Sequence, residues 1–332
     1  MRVLVTGGAG YIGSFVARLL QDQGHEVVVL DNLVYGHNAA VSTTLESGDL
    51  LDPAFLDGVF TRHQPDSVMH LAAWIEVGES VTKPAKYFLN NTGGTAALLQ
   101  AMVNHGVMNL VFSSTAAVYG TPETVPITED SPTRPENPYG ASKLLSEQSF
   151  PWYEGAYGLR SISLRYFNAA GGGLDGSMGP AHEPATHLVT NALRAALGRK
   201  PFTLFGTDYP TPDGSCIRDY IHVLDIAGAH VVALEYLRRG GSSAAYNVGT
   251  GHGFSNLEVI EAARRISGVD FPVAEGPRRA GDPARLVADA SRLRQELGWS
   301  PQHSELETIM RSAWLWESQH PNGYEELSAP TL

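Results

Sequence analysis

A tyrosine, a lysine and a threonine in the middle of the chain have the residue types and spacing of a proton-transfer site. Of the 13 tyrosines only Tyr139 is followed four residues later by a lysine, Lys143. Residues i and i+4 share one face of a helix, so the ammonium can lie near the phenol. A phenol ionises near pH 10, and a cation about 4 Å away lowers its pKa toward the range of a general base. Thr115 follows the strand-like run Asn109–Ser113, and its hydroxyl is a candidate proton relay.

A glycine-rich turn near the start of the chain has the spacing of a phosphate-binding loop. The pattern Gly-x-x-Gly-x-x-Gly, between a strand-like and a helix-like segment, is formed by Gly7, Gly10 and Gly13. Glycines let a pyrophosphate approach the helix N-terminus, where free N–H groups attract it. Asp31 ends the next strand-like run, where a carboxylate accepts hydrogen bonds from ribose hydroxyls and repels an added 2′-phosphate. This spacing predicts NAD rather than NADP, with Asp49 and Leu50 as candidates beside the adenine.

The elements that must position these residues alternate between strand-like and helix-like segments. The strand-like runs are Arg2–Thr6, Val27–Asp31, Ser67–Leu71, Asn109–Ser113 and Ser161–Phe167. Helix signals cover Ile12–Gln23 before Gly24, Pro53–Arg62, Lys86–Asn104 before Gly106, and a segment that starts at Pro138. Pro151 is expected to kink or end that last helix. The alternation predicts an α/β fold with a doubly wound parallel sheet of the Rossmann type.

The second half of the chain has a different pattern of predicted secondary structure. A glycine-rich loop, Ala169–Gly179, is followed by shorter and less regular elements. The segments Tyr220–Leu237 and Ala245–Gly249 have the pattern of a return to the sheet. We therefore expect a NAD-binding domain over residues 1–168, with a return segment near 215–250. A smaller, interleaved C-terminal α/β lobe over 169–332 is expected to bind the substrate.

Composition and charge narrow the classes of partner. The 332 residues are 43% apolar and 17% charged, and they contain no uninterrupted apolar stretch long enough to span a membrane. The strand-like Val3–Thr6 follows Met1 directly, without the pattern of a signal peptide, which predicts a cytoplasmic location. The single cysteine, Cys216, excludes a disulfide framework or thiolate cluster within one chain. A formal charge of −12 disfavours nucleic acid or a membrane surface as the main partner.

Several motifs together resemble one known family. The segments Thr6–Gly13 (TGGAGYIG) and His70–Ala73 (HLAA), with Thr115 and Tyr139-x-x-x-Lys143, are similar to the extended short-chain dehydrogenase/reductase family. Within it, further segments from one end of the chain to the other resemble the UDP-glucose 4-epimerases: Val77–Ser80 (VGES), Arg165–Gly171 (RYFNAAG), Phe205–Val223 (FGTDYPTPDGSCIRDYIHV), Arg278–Asp282 and Trp316–Tyr324.

That resemblance implies a reaction, a cofactor and an assembly. The reaction is the interconversion of UDP-galactose and UDP-glucose through a transient 4-keto sugar, with NAD reduced and reoxidised within each turnover. Tyr139 is the implied base, Thr115 its hydrogen-bonding relay, and Lys143 both holds the ribose and lowers the pKa of the tyrosine. The implied assembly is a homodimer that pairs the helices around Lys86–Asn104 and Pro138–Phe150.

The resemblance also implies binding roles at matching positions. The cofactor set is Gly7, Gly10, Tyr11, Ile12, Gly13, Asp31, Asn32, Asp49, Leu50, Leu71, Ala72, Ala73, Asn90, Thr115, Tyr139, Lys143 and Phe167. The substrate set is Asn168, His187, Leu188, Thr203, Leu204, Phe205, Arg218, Arg279 and Asp282. The two arginines are expected to grip the substrate diphosphate, since guanidinium groups bind phosphate oxygens in pairs.

Four departures from the family pattern leave questions open. Ile75 stands where many relatives have a lysine that contacts cofactor and phosphate, so looser binding of NAD is expected. His187 stands where asparagine is frequent, and the loop with Gly171–Gly173 and Gly176 is expected to be unusually flexible. Leu286 matches a position that gates room for an N-acetyl group, and its intermediate bulk does not decide the matter. UDP-N-acetylhexosamines, UDP-pentoses and UDP-uronates therefore remain alternative substrates.

Other function classes fit the residues less well. A sugar-nucleotide dehydratase needs an acid pair directly after the relay threonine, where this chain has Ala116 and Ala117. A NAD-sensing module without catalysis is expected to lack one of the three catalytic residues, and all three are present. A zinc site formed by His182-Glu183 and His187 is disfavoured, because Pro184 interrupts a helix and the spacing is wrong. No metal is expected.

Overall fold

The computed structural model of the chain describes residues 1–279 and 282–324. A parallel sheet runs through the first three quarters of the chain. The strands of the described residues are β1 (Arg2–Thr6), β2 (Glu26–Asp31), β3 (Thr44–Ser47), β4 (Ser67–His70), β5 (Asn109–Thr115), β6 (Arg160–Tyr166), β7 (Asn168–Ala170), β8 (Phe202–Phe205), β9 (Ile217–Arg218), β10 (Tyr220–His222), β11 (Ala244–Val248), β12 (Phe254–Ser255), β13 (Val273–Gly276) and β14 (Arg285–Leu286).

Helices connect most of these strands. They are α1 (Tyr11–Asp22), α2 (Pro53–His63), α3 (Val77–Thr82), α4 (Pro84–Tyr87), α5 (Gly94–Asn104), α6 (Pro138–Tyr157), α7 (Leu188–Ala196), α8 (Val223–Arg238), α9 (Asn256–Ser267), α10 (Ser291–Leu297) and α11 (Leu306–Gln319). Two short 3₁₀ segments cover Asn38–Ala40 and Ala116–Val118, and a π-helical segment covers Phe88–Gly93.

The main sheet has seven strands in the order β11-β6-β5-β4-β1-β2-β3, and every pair in it is parallel. The chain winds outward in one direction from β1 and in the other direction from β4, so the order reverses between these two neighbours. Open sheets of this kind bind ligands at the carboxyl ends of the strands beside such a reversal. The prediction of a doubly wound parallel sheet is confirmed.

Helices cover both faces of the sheet, which explains why its strands are apolar runs rather than alternating patterns. In β1 the side chains alternate between two cores, as the period of a strand requires. One core lies under α1 and α8 and includes Val3, Val5, Phe15, Leu20, Ile226 and Leu234. The other lies under α2, α5 and α6 and includes Leu4, Leu56, Phe60, Leu98 and Phe150.

A second, smaller group of elements packs around α7, α9 and α11. Their buried side chains form a separate core with the strand pair β8 and β13, including Val189, Leu193, Val259, Ile309 and Met310. Two further small sheets join distant segments: β7 pairs with β10, and β9 lies between β12 and β14. These small sheets join segments that lie between residues 168 and 286 of the chain.

Of the two outcomes expected at Pro151, a kink or an end of the helix, the end does not occur. Helix α6 continues through Pro151 to Tyr157, 20 residues from Pro138. A proline inside a helix removes one backbone donor and crowds the carbonyl group four residues earlier, a cost that packing elsewhere in the helix can offset. The helix is held at its start, where the side chain of Asn137 accepts a hydrogen bond from the N–H of Gly140, and at Phe150, which is buried in the core.

The predicted helix over Lys86–Asn104 is interrupted by wider turns. The π-helical segment Phe88–Gly93 separates α4 from α5. Within it, the side-chain amide of Asn91 donates to the carbonyl oxygen of Trp74 at 3.0 Å and to the hydroxyl of Ser142 at 3.0 Å. π-Helical turns are frequent at functional sites, and this one fastens α6 to the segment that follows β4.

The glycines after Asn168 meet a packing requirement, and the expected flexibility of this loop stays a prediction. Gly171, Gly172 and Gly173 are buried. The N–H of Gly172 donates to the hydroxyl of Ser312 on α11, at 3.1 Å. A Cβ atom on Gly172 would lie 3.0 Å from the carbonyl oxygen of Met178. Larger residues would therefore push this loop away from α11.

Candidate active site

A cavity of about 360 Å³ lies at the carboxyl ends of β1, β4 and β5. It brings together every predicted cofactor residue except Lys143, namely Gly7, Gly10, Tyr11, Ile12, Gly13, Asp31, Asn32, Asp49, Leu50, Leu71, Ala72, Ala73, Asn90, Thr115, Tyr139 and Phe167. From the predicted substrate set it includes Asn168 and His187. A single cavity therefore joins the glycine loop to the candidate catalytic tyrosine.

The glycine loop is shaped for the close approach of a phosphate. Gly7 has φ of +72°, and a Cβ atom there would lie 2.5 Å from the backbone nitrogen of Ala72. A Cβ atom on Gly13 would lie 2.1 Å from the carbonyl oxygen of Gly7. Helix α1 starts at Tyr11, so its free N–H groups face this end of the cavity. These features fit a dinucleotide, whose pyrophosphate needs backbone donors and open space.

Asp31 stands at the end of β2 with its carboxylate fixed by the backbone. Its oxygens accept hydrogen bonds from the N–H groups of Ala9 at 3.0 Å and Leu33 at 2.9 Å. Burial raises the pKa of this carboxyl group, and the two backbone donors act in the opposite direction. Each carboxylate oxygen has a further lone pair, so Asp31 can also accept from ribose hydroxyls. Nearby, the side-chain amide of Asn32 donates to Asp49 at 3.3 Å.

The candidate catalytic side chains come from β5 and α6. Thr115 is the last residue of β5, and its hydroxyl oxygen accepts from the N–H of Ala117 at 3.1 Å. Tyr139 and Lys143 lie one turn apart on α6, as their spacing predicts. The ammonium of Lys143 is 3% exposed and donates to the carbonyl oxygen of Ser113 at 2.8 Å. Lys143 therefore lies behind the wall of the cavity rather than in it.

The protein groups around Tyr139 raise its pKa on balance, and the predicted lowering by Lys143 stays a prediction for the complex with NAD⁺. Burial raises the pKa to about 12, a hydrogen bond from Thr115 lowers it, and the charge of Glu76 raises it. Burial also lowers the pKa of Lys143 to about 7, against the charge of Glu147. The cationic nicotinamide of NAD⁺ is the further positive charge that such a tyrosine needs, which is a second reason why this site fits that cofactor.

The remaining predicted substrate residues gather outside the cavity wall, around β8 and β9. A guanidinium nitrogen of Arg218 lies 2.5 Å from a carboxylate oxygen of Asp282. The guanidinium of Arg279 lies over the ring of Phe205, 4.2 Å from its centroid. Thr203 and Leu204 are on β8, where the Leu204 side chain is buried in the core, and Leu188 starts α7. This set joins segments that are far apart in the sequence.

Several residues that line the cavity were not predicted. They include Tyr35, Trp74, Glu76, His182, Thr186 and Tyr324. The ring of Tyr35 packs edge-on against both Trp74 and His182, with centroid distances of 5.0 and 4.2 Å. Trp74 and Glu76 come directly after β4, at the ligand-binding edge of the sheet, and that position was the available signal. For His182 the sequence pattern suggests only a zinc site, which its spacing disfavours.

Two further features bear on the classes of site. Among residues 1–279 and 282–324, no group of three or more histidine, cysteine, aspartate or glutamate side chains is arranged to hold a metal ion. In the same part of the chain, no helix is both long and apolar enough to cross a membrane. Cys216 is buried and is not part of a cluster.

Comparisons with known proteins agree with this geometry. Residues 3–249 match the NAD dependent epimerase/dehydratase family. A UDP-glucose 4-epimerase of Halalkalibacterium halodurans is 51% identical over 326 residues, which cover 98% of each chain. The crystal structure of the UDP-glucose 4-epimerase of Brucella ovis in complex with NAD is 48% identical. It covers 94% of this chain and 97% of its own, with a TM-score of 0.92.

A third relative was crystallised with two ligands. The UDP-glucose 4-epimerase of Bifidobacterium longum, in complex with NAD⁺ and UDP, is 38% identical, with a TM-score of 0.92 over 98% of this chain and 100% of its own. Similarity to these enzymes extends over nearly the whole length on both sides. The chain belongs to the NAD dependent epimerase/dehydratase family, and the cofactor for which its glycine loop and Asp31 are shaped is NAD.

Proposed function

We propose that this protein interconverts UDP-galactose and UDP-glucose by transient oxidation of the sugar at C4. One observation carries the proposal: the phenol of Tyr139 and the glycine loop face the same cavity, so that a base and the cofactor can act on one carbon atom. Relatives that are about half identical over nearly the full length bear the name UDP-glucose 4-epimerase. When bound, NAD supplies a hydride acceptor that returns the hydride to the sugar.

Within this proposal each catalytic side chain has one task. Tyr139 accepts the proton of the sugar 4-hydroxyl and later returns it to the 4-keto oxygen. Thr115, which lines the same cavity as Tyr139, is assigned to hold that phenol in position and to pass the proton. We assign Lys143 the two roles that the resemblance implies, which are holding the cofactor ribose and lowering the pKa of Tyr139. Net redox change is zero, because the hydride and the proton both return to the sugar.

The absence of acidic side chains after Thr115 favours epimerisation over dehydration. Elimination of water from a sugar needs a group that removes a proton next to the ketone and one that protonates the leaving hydroxyl. Ala116 and Ala117 occupy those positions, and Ala116 is buried in an apolar cluster with Val118 and Phe167. A 4-keto sugar formed here can therefore only be reduced again, on either face.

We propose that the arginines around β8 and β9 bind the diphosphate and uridine of the substrate. The guanidinium of Arg218 is held by Asp282, and that of Arg279 rests on Phe205, so both groups are oriented before a ligand arrives. A relative with a TM-score of 0.92 was crystallised with NAD⁺ and UDP. Asn168 and His187 connect this region to the catalytic end, since both line the cavity.

In this proposal the two parts of the chain divide the ligands. Residues 1–168, with a return segment near 215–250, form the NAD-binding domain. Residues 169–332 form the lobe that binds the nucleotide sugar. Strand β11, which pairs with β6 at the edge of the main sheet, supports the interleaved arrangement. We also propose a cytoplasmic location, which the single cysteine supports because it allows no disulfide within the chain.

We propose a homodimer that pairs the helical segment around Lys86–Asn104 with α6. Large apolar side chains are exposed there: Leu89 at 67%, Leu145 at 45% and Trp152 at 79%. Leu145 and Trp152 are seven residues apart on α6, so they share one face. A face of this kind is a protein-interaction site. Light scattering should give twice the chain mass, and Trp152→Glu should give the mass of a monomer.

The reaction is tested by supplying UDP-galactose to the purified protein without added nucleotide and following UDP-glucose. The expected result is formation of UDP-glucose. If no product forms, the assay is repeated with added NAD. Absence of product under both conditions would refute the proposed function.

A further inference from the structure

We infer that Glu76 is a specificity-determining residue that selects neutral sugars and excludes sugars that carry a carboxylate. The inference rests on the proposed function, because it assigns Glu76 to the sugar part of the UDP-sugar site. Glu76 lies in the segment between β4 and α3, outside the Thr115, Tyr139 and Lys143 set. It lines the same cavity as the phenol of Tyr139.

The side chain of Glu76 reaches across the cavity instead of capping its own helix. Glu76 precedes α3 at the N-cap position, yet its carboxylate makes no hydrogen bond to the first turn of that helix. One carboxylate oxygen, Oε1, is instead 2.9 Å from Nε2 of His182 and accepts a hydrogen bond from the hydroxyl of Thr186 at 3.3 Å. Residues about 110 positions away thus hold the carboxylate toward the site.

The second oxygen of the carboxylate is available to a ligand. The hydrogen bonds from His182 and Thr186 both go to Oε1, and the Glu76 side chain is 17% exposed. Oε2 therefore remains an acceptor at the wall of the cavity. A sugar hydroxyl can donate to it, and such a bond to an ionised acceptor is about twice as strong as one between neutral groups.

No lysine or arginine side chain lines the cavity beside this charge. The residues that line it include three acids, Asp31, Asp49 and Glu76, but no lysine or arginine. Asp31 and Asp49 are at the end of the cavity formed by β2 and β3, away from Tyr139. At the catalytic end the nearest candidates for a compensating charge are His182 and His187, and burial lowers the pKa of His187, which favours its neutral form.

The effect of Glu76 already extends to Tyr139, since its charge raises the pKa of that phenol. A sugar bound for reaction at Tyr139 therefore lies within the field of the same carboxylate. A uronate brings a second carboxylate into the cavity besides that of Glu76, and two like charges in a partly enclosed cavity repel strongly. Neutral sugars instead offer hydroxyl donors, so Glu76 favours the binding of neutral sugars and disfavours the binding of uronates.

The test compares dissociation constants of UDP, UDP-glucose and UDP-glucuronate for the wild-type holoenzyme and for Glu76→Gln. Glutamine keeps the size and one acceptor oxygen while it removes the charge. The expected result is at least a tenfold fall in the ratio of the UDP-glucuronate constant to the UDP-glucose constant. The constant for UDP, which has no sugar, should stay the same.

Glu183→Gln serves as the matched control, since it removes one charge from the same loop as His182 but outside the cavity wall. It should leave the ratio unchanged. A change of less than tenfold in Glu76→Gln, an equal change in Glu183→Gln, or parallel weakening of all three ligands would overturn the inference. These binding results are separate from the proposed function, whose failure appears as no turnover of UDP-galactose by the wild-type enzyme.

Discussion

The dinucleotide end of the cavity is built from backbone, whereas the region proposed for the uridine diphosphate is built from charged side chains. At the first end, Gly7 and Gly13 create open space beside the start of α1, and the cavity wall contributes no lysine or arginine. At the second, Arg218 pairs with Asp282 and Arg279 stacks on Phe205. In the proposed function, backbone N–H groups hold the pyrophosphate of NAD, and charged arginine side chains hold the diphosphate of the substrate.

The two kinds of contact suit two ligands that differ in how long they stay bound. A cofactor that stays bound through each turnover needs shape and many backbone contacts, which a preformed loop supplies at little cost in side-chain order. A substrate that must enter and leave is better recruited by charge, whose attraction acts over a longer range. The catalytic residues Thr115 and Tyr139 lie between the two ends, so they are the first place to test the account.

The largest effect is expected from Tyr139→Phe, which removes the proposed base between the two ends. Turnover should fall about 10³-fold, as for loss of a general base, while NAD stays bound, because the glycine loop is untouched. Steady-state kinetics and the NAD content of the purified variant check this. Tyr157→Phe, at the exposed end of the same helix, should behave as wild type. Wild-type turnover in Tyr139→Phe would disprove the assignment of the base.

The next largest effect should appear at the side-chain end. Arg279→Ala is expected to weaken UDP binding about tenfold to a hundredfold, the range for a lost hydrogen bond to a charged group, without loss of NAD. Isothermal titration with UDP measures this. The neighbouring Arg278→Ala is the matched control, because that guanidinium is already engaged by Asp208 at 2.7 Å. Equal effects of the two substitutions would contradict the proposed role of Arg279.

A third prediction concerns how the unfolding free energy depends on pH through three buried histidines. Burial lowers the pKa of His70 to about 3 and those of His222 and His230 to about 4. These histidines stay neutral in the fold but take up a proton near pH 6.5 when unfolded, so their contribution to stability is present above pH 6.5 and lost as the pH falls. The unfolding free energy should drop by up to about 1.4 kcal/mol per pH unit for each histidine. Equal urea midpoints at pH 7 and pH 5 would rule this out.

The smallest effect tests the backbone end. Ile75→Lys places a cation beside a cofactor that otherwise meets no cationic side chain on the cavity wall, and it should tighten NAD about threefold to fivefold. For wild type, added NAD should raise the activity of the purified enzyme. Val269→Lys, exposed and distant from the site, controls for net charge. A dissociation constant for NAD that does not change in Ile75→Lys would indicate that backbone contacts already saturate the phosphate.

Local spacing was enough to predict the backbone end but not the catalytic wall. Gly7, Gly13 and Asp31 belong to one strand-helix-strand unit, so their relation is contained in 25 consecutive residues. Glu76 and His182 meet across 106 positions, and no periodicity connects them. The continuation of α6 past Pro151 was missed for a related reason, since burial of Phe150 in a distant core outweighs a local break.

The electrostatics of Tyr139 also escaped the sequence argument. Spacing placed Lys143 one turn away, but it could not show that the ammonium turns to the carbonyl oxygen of Ser113 or that burial dominates the pKa of the phenol. Depth in the fold is a tertiary property. A sequence therefore predicts which groups can meet more readily than it predicts their charge states.

The proposed function requires that the hydride removed at C4 stays in the cavity and returns to the same sugar. It is tested most directly by converting UDP-galactose labelled with deuterium at C4 in ordinary water, with the purified enzyme and no added nucleotide. The expected product is UDP-glucose that retains the deuterium at C4, because bound NAD would supply the hydride acceptor within the cavity. UDP-glucose with hydrogen from water at C4 would refute the proposed return of the hydride.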